Sequence, residues 1–319
     1  MLSEKIIPVA KGLLKKILVH RKFSTSTSGT DDGHYCYSVW LRHLIHAHKA
    51  GYTVKNSTVA ELGPGDSLGI GLAALICGAE KYYAMDVYKY WDIERNLRIF
   101  DHIVDLFKNK TPIPDQSEFP KVFPVLDDYR FPAHILTDEL MNEMLAPDRL
   151  HTLREELRLI DSGNNIHIRY FIPWNLTENV HHGTVDFFFS QAVLEYVDDL
   201  ERAYRKFNKW LKHGALMTHC IDFSAHGITP TWNGHWTFSN AQWKLAHGNN
   251  QILLNRAPRS EHHQLMEKSH FTVLACEDKI RPTHIGPQHF HDNYAHLTKE
   301  DANTFASFFV AKKNRHWED

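Results

Sequence analysis

The stretch "THCIDFSAHG", residues 218–227, gathers His219, Asp222 and His226. A histidine titrates near neutrality, and a neighbouring carboxylate favours the protonated ring once it has taken a proton. One of the two histidines can therefore act as general base, with Asp222 orienting it. The same His-x2-Asp-x3-His spacing could instead hold a divalent metal that acidifies a hydroxyl. In a chain of 24 histidines, some of these side chains could simply satisfy backbone groups at a strand end. The expectation carried forward is a base that works without a metal.

A second stretch bears on what is bound. "VAELGPGDSLGIG", residues 59–71, reads as a strand, a glycine turn and the start of a helix. A dinucleotide fingerprint wants a glycine where Leu68 stands, and a phosphate loop wants a Gly-Lys-Ser/Thr ending that is absent. Gly63 and Gly65 supply the turn. Glu61 before it and Asp66 after it would repel a pyrophosphate and favour an ammonium or sulfonium charge. S-adenosylmethionine (SAM) carries both. Asp86 closes the next apolar run, where an acid can accept hydrogen bonds from ribose hydroxyls.

Such residues need a scaffold that collects strand ends. Apolar runs predict strands at 58–62, 81–87, 166–172, 185–191, 215–223, 271–279 and 305–313. Helical patterns fall at 34–51, after the glycine turn, and at 198–214 with Gly214 as a stop. Continuously apolar strands suit a sheet covered on both faces, and the alternation predicts a doubly wound α/β fold with a seven-stranded, mostly parallel sheet. Residues 1–57 read as an N-terminal helical extension and 58–319 as the main domain. Residues 88–160, with "TPIPDQSEFPKVFP", read as a cap or lid inserted between the second and third strands.

"ELGPGDSLG", "YYAMD" and "VDFFFSQAVLEYVDDL" resemble the first, second and fourth motifs of class I SAM-dependent methyltransferases, a Rossmann-like family, over roughly 58–223. The resemblance implies that the glycine turn holds the methionine end of SAM and that Asp86 holds its ribose. It also implies that Pro173, Trp174 and Asn175 border the adenine and that Ser190 and Gln191 lie near the methyl group. Tyr196 stands where such motifs often have histidine, so no histidine role is assigned there. "HYCYSVWLRHL", "THCIDFSAHG" and "NRAPRSEHHQLMEKSHF" further resemble methyltransferases encoded with polysaccharide and surface-glycan assembly genes, which implies a sugar hydroxyl as acceptor.

For such an acceptor, "PTWNGHWTFSNAQWKL" offers Trp232, His235, Trp236 and Trp243 as an aromatic platform, although a core tryptophan cluster reads equally well for Trp243. Arg256 and Arg259 could bind a phosphorylated part of the acceptor or form a solvated charge pair. Tyr35, Tyr37 and Trp40 are expected to close over cofactor or acceptor. Another small-molecule acceptor, or a SAM-binding module without transferase activity, are the competing readings.

The chain of 319 residues is 43% hydrophobic and 23% charged, with a formal net charge of -2, so no positive field points to nucleic acid. Cys36, Cys77, Cys220 and Cys276 form no CxxC pair, which suits a reducing, cytoplasmic setting. No run is long enough to span a bilayer. The basic amphipathic residues 1–23 predict a helix that packs on its own domain or a partner, with peripheral membrane contact as the weaker alternative. Oligomeric state is not legible.

Overall fold

The computed structural model describes residues 2–17, 29–163, 165–176, 180–248 and 253–314. The end of the helix predicted for residues 1–23 falls outside them. The helices are α1 (Leu2–Ile17), α2 (Gly33–Lys49), α3 (Gly69–Ile76), α4 (Ile93–Lys108), α5 (Asp138–Met144), α6 (Pro147–Arg158), α7 (Leu200–Trp210), α8 (Asn240–His247), α9 (Arg259–Lys268) and α10 (Lys299–Asn303). The strands are β1 (Thr58–Leu62), β2 (Lys81–Met85), β3 (Ile168–Phe171), β4 (Val185–Gln191), β5 (Leu211–Asp222), β6 (Phe271–Ile280) and β7 (Thr304–Lys313).

They form one sheet in the order β3-β2-β1-β4-β5-β7-β6, parallel except for β7, which runs antiparallel to both neighbours. The expected doubly wound, seven-stranded, mostly parallel architecture is the one observed. Side chains alternate between two apolar layers. Val59, Tyr82, Phe187 and Phe189 face α2, α3 and α4, whereas Ala60, Met85, Phe188 and Met217 face α7 and α9. Burial on both faces is why "VDFFFSQ" is apolar without alternation.

One boundary differs from the sequence reading. Helix α7 ends at Trp210, and β5 begins at Leu211. Gly214, expected to stop the helix, lies within β5 at φ +74°. The pairing jumps there from Val185–Leu211 to Phe187–Leu216, so the glycine serves a strand irregularity. Helix α7 stops early because its apolar stripe, Leu200, Ala203, Tyr204, Phe207 and Trp210, is complete.

The N-terminal part divides in two. Helix α1 packs on α8, where a Cβ at Gly12 would overlap the Leu245 carbonyl. Helix α2 is a core layer of the sheet: Cys36, Tyr37, Val39, Trp40 and Leu41 are at most 1% exposed. Among the described residues no helix is long and apolar enough to cross a membrane.

Residues 88–160 also divide. Helix α4 buries Leu97, Ile99, Phe100 and Ile103 in the core shared with α2. The stretch after it is pinned to α2 by the buried Arg42, whose guanidinium donates to the carbonyls of Pro114 (3.0 Å) and Pro124 and to the Tyr129 hydroxyl (3.3 Å).

The five buried α2 side chains contribute roughly 1.5–3 kcal/mol each, comparable together with a domain's whole net stability of about 5–15 kcal/mol. Deleting residues 1–42 should therefore abolish cooperative unfolding, whereas deleting 1–17 should leave a cooperative transition at a lower midpoint. Thermal melts by circular dichroism check this, and a cooperative melt from the longer deletion would show that α2 is dispensable to the core.

Candidate active site

The sheet order reverses between β1 and β4, so their outgoing connections diverge and leave a cleft at the strands' carboxyl ends. Leu62, Met85, Gln191 and Asp222, from the ends of four strands, line a cleft of about 1450 Å³. That is room for more than one small molecule. Gly63 and Gly65 form its floor at φ +70° and +73°. A Cβ on Gly63 would come within 2.5 Å of Val193 Cγ2, so the site needs glycine for both conformation and space.

The carboxylates behave differently from one another. Glu61 points away from the cleft into the α3 side of the core, where it accepts from the Tyr82 hydroxyl. Burial pushes its carboxyl up to about 8, so it carries a proton at neutral pH. Asp66 is buried under the turn and does not line the cleft. Glu61 therefore supplies no negative charge, and Asp66 acts on the cleft residue Tyr90 from beneath the turn without adding to the lining charge. That charge comes from Asp31, Asp32, Asp86, Glu118, Asp198 and Asp222, opposed by Lys121 and Lys244. Carboxylates thus outnumber lysines in the lining, and they include Asp86 and Asp222 but neither Glu61 nor Asp66.

Asp86 sits where the sequence put it, at the end of β2. Burial raises it to about 6, while the backbone N–H groups of Val87, Gly65 and Tyr88 favour its charged form. Trp174 lines the cleft beside it, its N–H donating to the Asp86 carbonyl at 2.9 Å. Asn175 is exposed and is not part of the lining.

Gln191 faces the cleft and is held by His43 Nε2 at 3.1 Å. Ser190 is fully buried, and its hydroxyl meets His219 Nδ1 at 2.8 Å beneath the sheet. His219 itself is fully buried and stacks on Phe207, so it cannot touch an acceptor. Of the three base candidates, Asp222 and His226 reach the cleft. His226 Nε2 lies 3.7 Å from Asp222 Oδ1 and 4.0 Å from Glu195 Oε1, and its side chain is 30% exposed. Burial lowers its pKa, so the ring is neutral at neutral pH. It takes φ +48° just past β5, and Ala192 takes φ +54° just past β4. Both cleft residues thus hold a conformation uncommon outside glycine.

The structure does not bring the expected acceptor residues to this cleft. Trp236 is fully buried and donates to the Arg256 carbonyl at 2.9 Å. Trp232 packs on Phe305 and donates to the Arg281 carbonyl at 2.8 Å. Trp243 is core. His235 is 1% exposed and reaches only a small buried space behind Asp222 and Glu195. Arg256 is buried, donating to the carbonyls of His235 and Phe238, and Arg259 pairs with Asp278 and Glu300. Tyr37 is core, its hydroxyl donating to the Thr111 carbonyl. Of the N-terminal aromatics expected to close over the site, only Tyr35 lines the cleft. Polar loop composition misled here, because tryptophan N–H groups and arginines found backbone carbonyls inside. The sequence reading missed Tyr88, Tyr90 and Lys244 and gave Tyr196 no role. Tyr88, Tyr90 and Tyr196 carried a positional signal, since each follows a strand end, whereas Lys244 comes from α8. Among the described residues, no group of three or more His, Cys, Asp or Glu side chains is set to hold a metal ion.

Fold and cleft define a Rossmann-like protein with an acid-lined cleft at the topological switch point. No family model matches the chain, and no curated protein matches it. Solved structures with similar folds include an S-adenosylmethionine dependent methyltransferase from Mesorhizobium loti, at 13% identity and TM-score 0.44, covering 89% of this chain and 100% of that one. A SAM-dependent methyltransferase from Methanosarcina mazei matches at 11% identity and TM-score 0.44, covering 86% and 98%. Geranyl diphosphate C-methyltransferase from Streptomyces coelicolor A3(2) matches at 12% and 0.44, covering 87% and 74%.

Asp86 allows a test without ligand. Its folded pKa is raised, so the folded state binds the proton more tightly than the unfolded one, and stability is lost as pH rises from about 4 to about 6. Asp86→Asn should then raise stability at pH 7 by about 1–2 kcal/mol, less than the full shift of roughly 3 because backbone donors lose a charged acceptor. At pH 4 the variant should match wild type. Denaturant melts at both pH values decide, and destabilisation at pH 7 would contradict the assignment.

Proposed function

We propose that the protein transfers a methyl group from SAM to an oxygen acceptor, with a sugar hydroxyl of a glycan or its activated precursor as the substrate class. The observation that carries this reading is the acid-lined cleft at the switch point, with the glycine turn on its floor and Asp86 at the end of β2. SAM carries a sulfonium and an ammonium against one carboxylate, so an excess of cleft carboxylates favours it over a polyphosphate ligand. Asp86 would accept from the ribose hydroxyls, Trp174 would border the adenine, and Gly63 and Gly65 would let the backbone approach the methionine end.

SAM supplies an activated methyl group. The chain's part is to align an acceptor lone pair with it and remove a proton. The Asp222–His226 pair suits the second task, since the ring is neutral and Asp222 faces its Nε2. The sugar reading rests on the sequence resemblance together with this base. A lid role for part of 88–160 rests on Glu118, Phe119, Lys121 and Val122, which line the cleft. Free cysteines, three of them buried, support a reducing, cytoplasmic setting.

Labelled SAM offered with methyl hexosides, nucleotide sugars and simple amines tests the reading. The expected result is label in an oxygen ether, with activity surviving EDTA. The rate should fall only as pH drops below histidine's ordinary 6.5, because the base pKa is lowered. His226→Ala should reduce turnover ~10²–10⁴-fold. SAM binding without transfer to any acceptor would favour a non-catalytic module, and label in an amine would move the acceptor class.

A further inference from the structure

One nitrogen of His226 is hydrogen-bonded to a residue that lines the cleft. Nδ1 lies 2.7 Å from the Tyr196 hydroxyl, with the two rings edge-on at 5.4 Å, and Nε2 faces the Asp222 and Glu195 carboxyls. Nε2, 3.7 Å and 4.0 Å from those carboxyls, is beyond hydrogen-bond reach of either, so the Tyr196 hydroxyl is the one partner this imidazole holds by a hydrogen bond. Tyr196 does line the cleft, beside Ala192 and Val193 at the end of β4. We propose that Tyr196 is the catalytic residue that meets the acceptor, handing its own proton to His226 as it receives the acceptor's. This deepens the methyl-transfer reading and rests on it.

Asp222 facing Nε2 favours the tautomer with its hydrogen there, which leaves the Nδ1 lone pair to accept from the Tyr196 hydroxyl. In the reaction the acceptor oxygen forms its bond to the methyl carbon. The S–CH3 bond breaks, and its electron pair returns to sulfur, turning the sulfonium into a thioether. The acceptor proton passes to the Tyr196 oxygen while the tyrosine proton passes to Nδ1. Free phenolate is never required, which matters because burial holds the Tyr196 hydroxyl well above its ordinary pKa. The resulting imidazolium faces Asp222 and returns its proton to water through its exposed edge.

The groups around His226 divide the work. Glu195 lies on the turn after β4, is 4% exposed, and meets no hydrogen-bond donor on either oxygen. Burial and the Asp222 charge raise its pKa well above the usual range, so it stays neutral. His235, buried behind them, is held neutral by burial and by Arg256, and Lys244 faces the cleft from α8.

Two measurements test the relay. In the full chain labelled with ¹⁵N-histidine at pH 7.5, the His226 ring, assigned through His226→Gln, should carry its proton on Nε2. Tyr196→Phe should shift the Nδ1 resonance toward that of a free acceptor nitrogen. A proton on Nδ1, or no response to the variant, overturns the relay whether or not SAM binds. With labelled SAM and a methyl hexoside the wild type methylates, Tyr196→Phe should lower kcat ~10²–10⁴-fold with SAM affinity kept. If Tyr196→Phe stays within a few-fold of wild type while His226→Ala is inactive, His226 meets the acceptor directly and the proposal fails. If no methyl hexoside is methylated, the acceptor class fails and the resonance measurement alone decides the relay.

Discussion

Val193 comes so close to the turn after β1 that only a hydrogen fits at position 63. That contact fixes how near the end of β4 can stand to the end of β1, and the cleft opens from there. Gly63 donates to the Met85 carbonyl at 2.8 Å, which ties the turn to β2 and brings Asp86 alongside it. On the other side, the bend that carries Val193 continues into Glu195 and Tyr196. One steric constraint thus sets the spacing between the proposed ribose acid and the proposed proton carrier.

The electrostatics follow from depth. Glu61, one residue inside the strand end, is fully enclosed and keeps its proton, whereas Asp86 has backbone donors that hold its charge. Glu195, enclosed on the far side of the cleft, repeats the case of Glu61 and keeps its proton, while Asp222 beside it faces the cleft. The cleft is lined mainly by acids, although Glu61 adds no charge to it and Asp66 acts only from beneath the turn. A ligand entering it meets Asp86 and Asp222 rather than the carboxylates the glycine motif brings to mind.

The strands were legible because burial on both faces leaves continuous apolar runs, and β1 and β4 fall at the expected residues. Asp86, Asp222 and His226 were legible because a doubly wound sheet collects the carboxyl ends of its strands, and Trp174 through the family resemblance. Polar residues away from strand ends were not. Trp232, Trp236, Arg256 and Arg259 look like a ligand surface in sequence, yet each is taken up by a carbonyl or carboxylate of the fold. His219, a few residues before the loop residue His226, shows the limit most clearly: alternation along β5 sends it beneath the sheet, to Ser190 and Phe207.

The central claim is that this cleft is built for a cationic adenosyl ligand. Isothermal titration of the full-length protein with SAM, S-adenosylhomocysteine, ATP and NAD tests it most directly. The account predicts that SAM and S-adenosylhomocysteine bind at one site per chain, and more tightly than either phosphate-bearing nucleotide. Tighter binding of ATP or NAD than of SAM would contradict it.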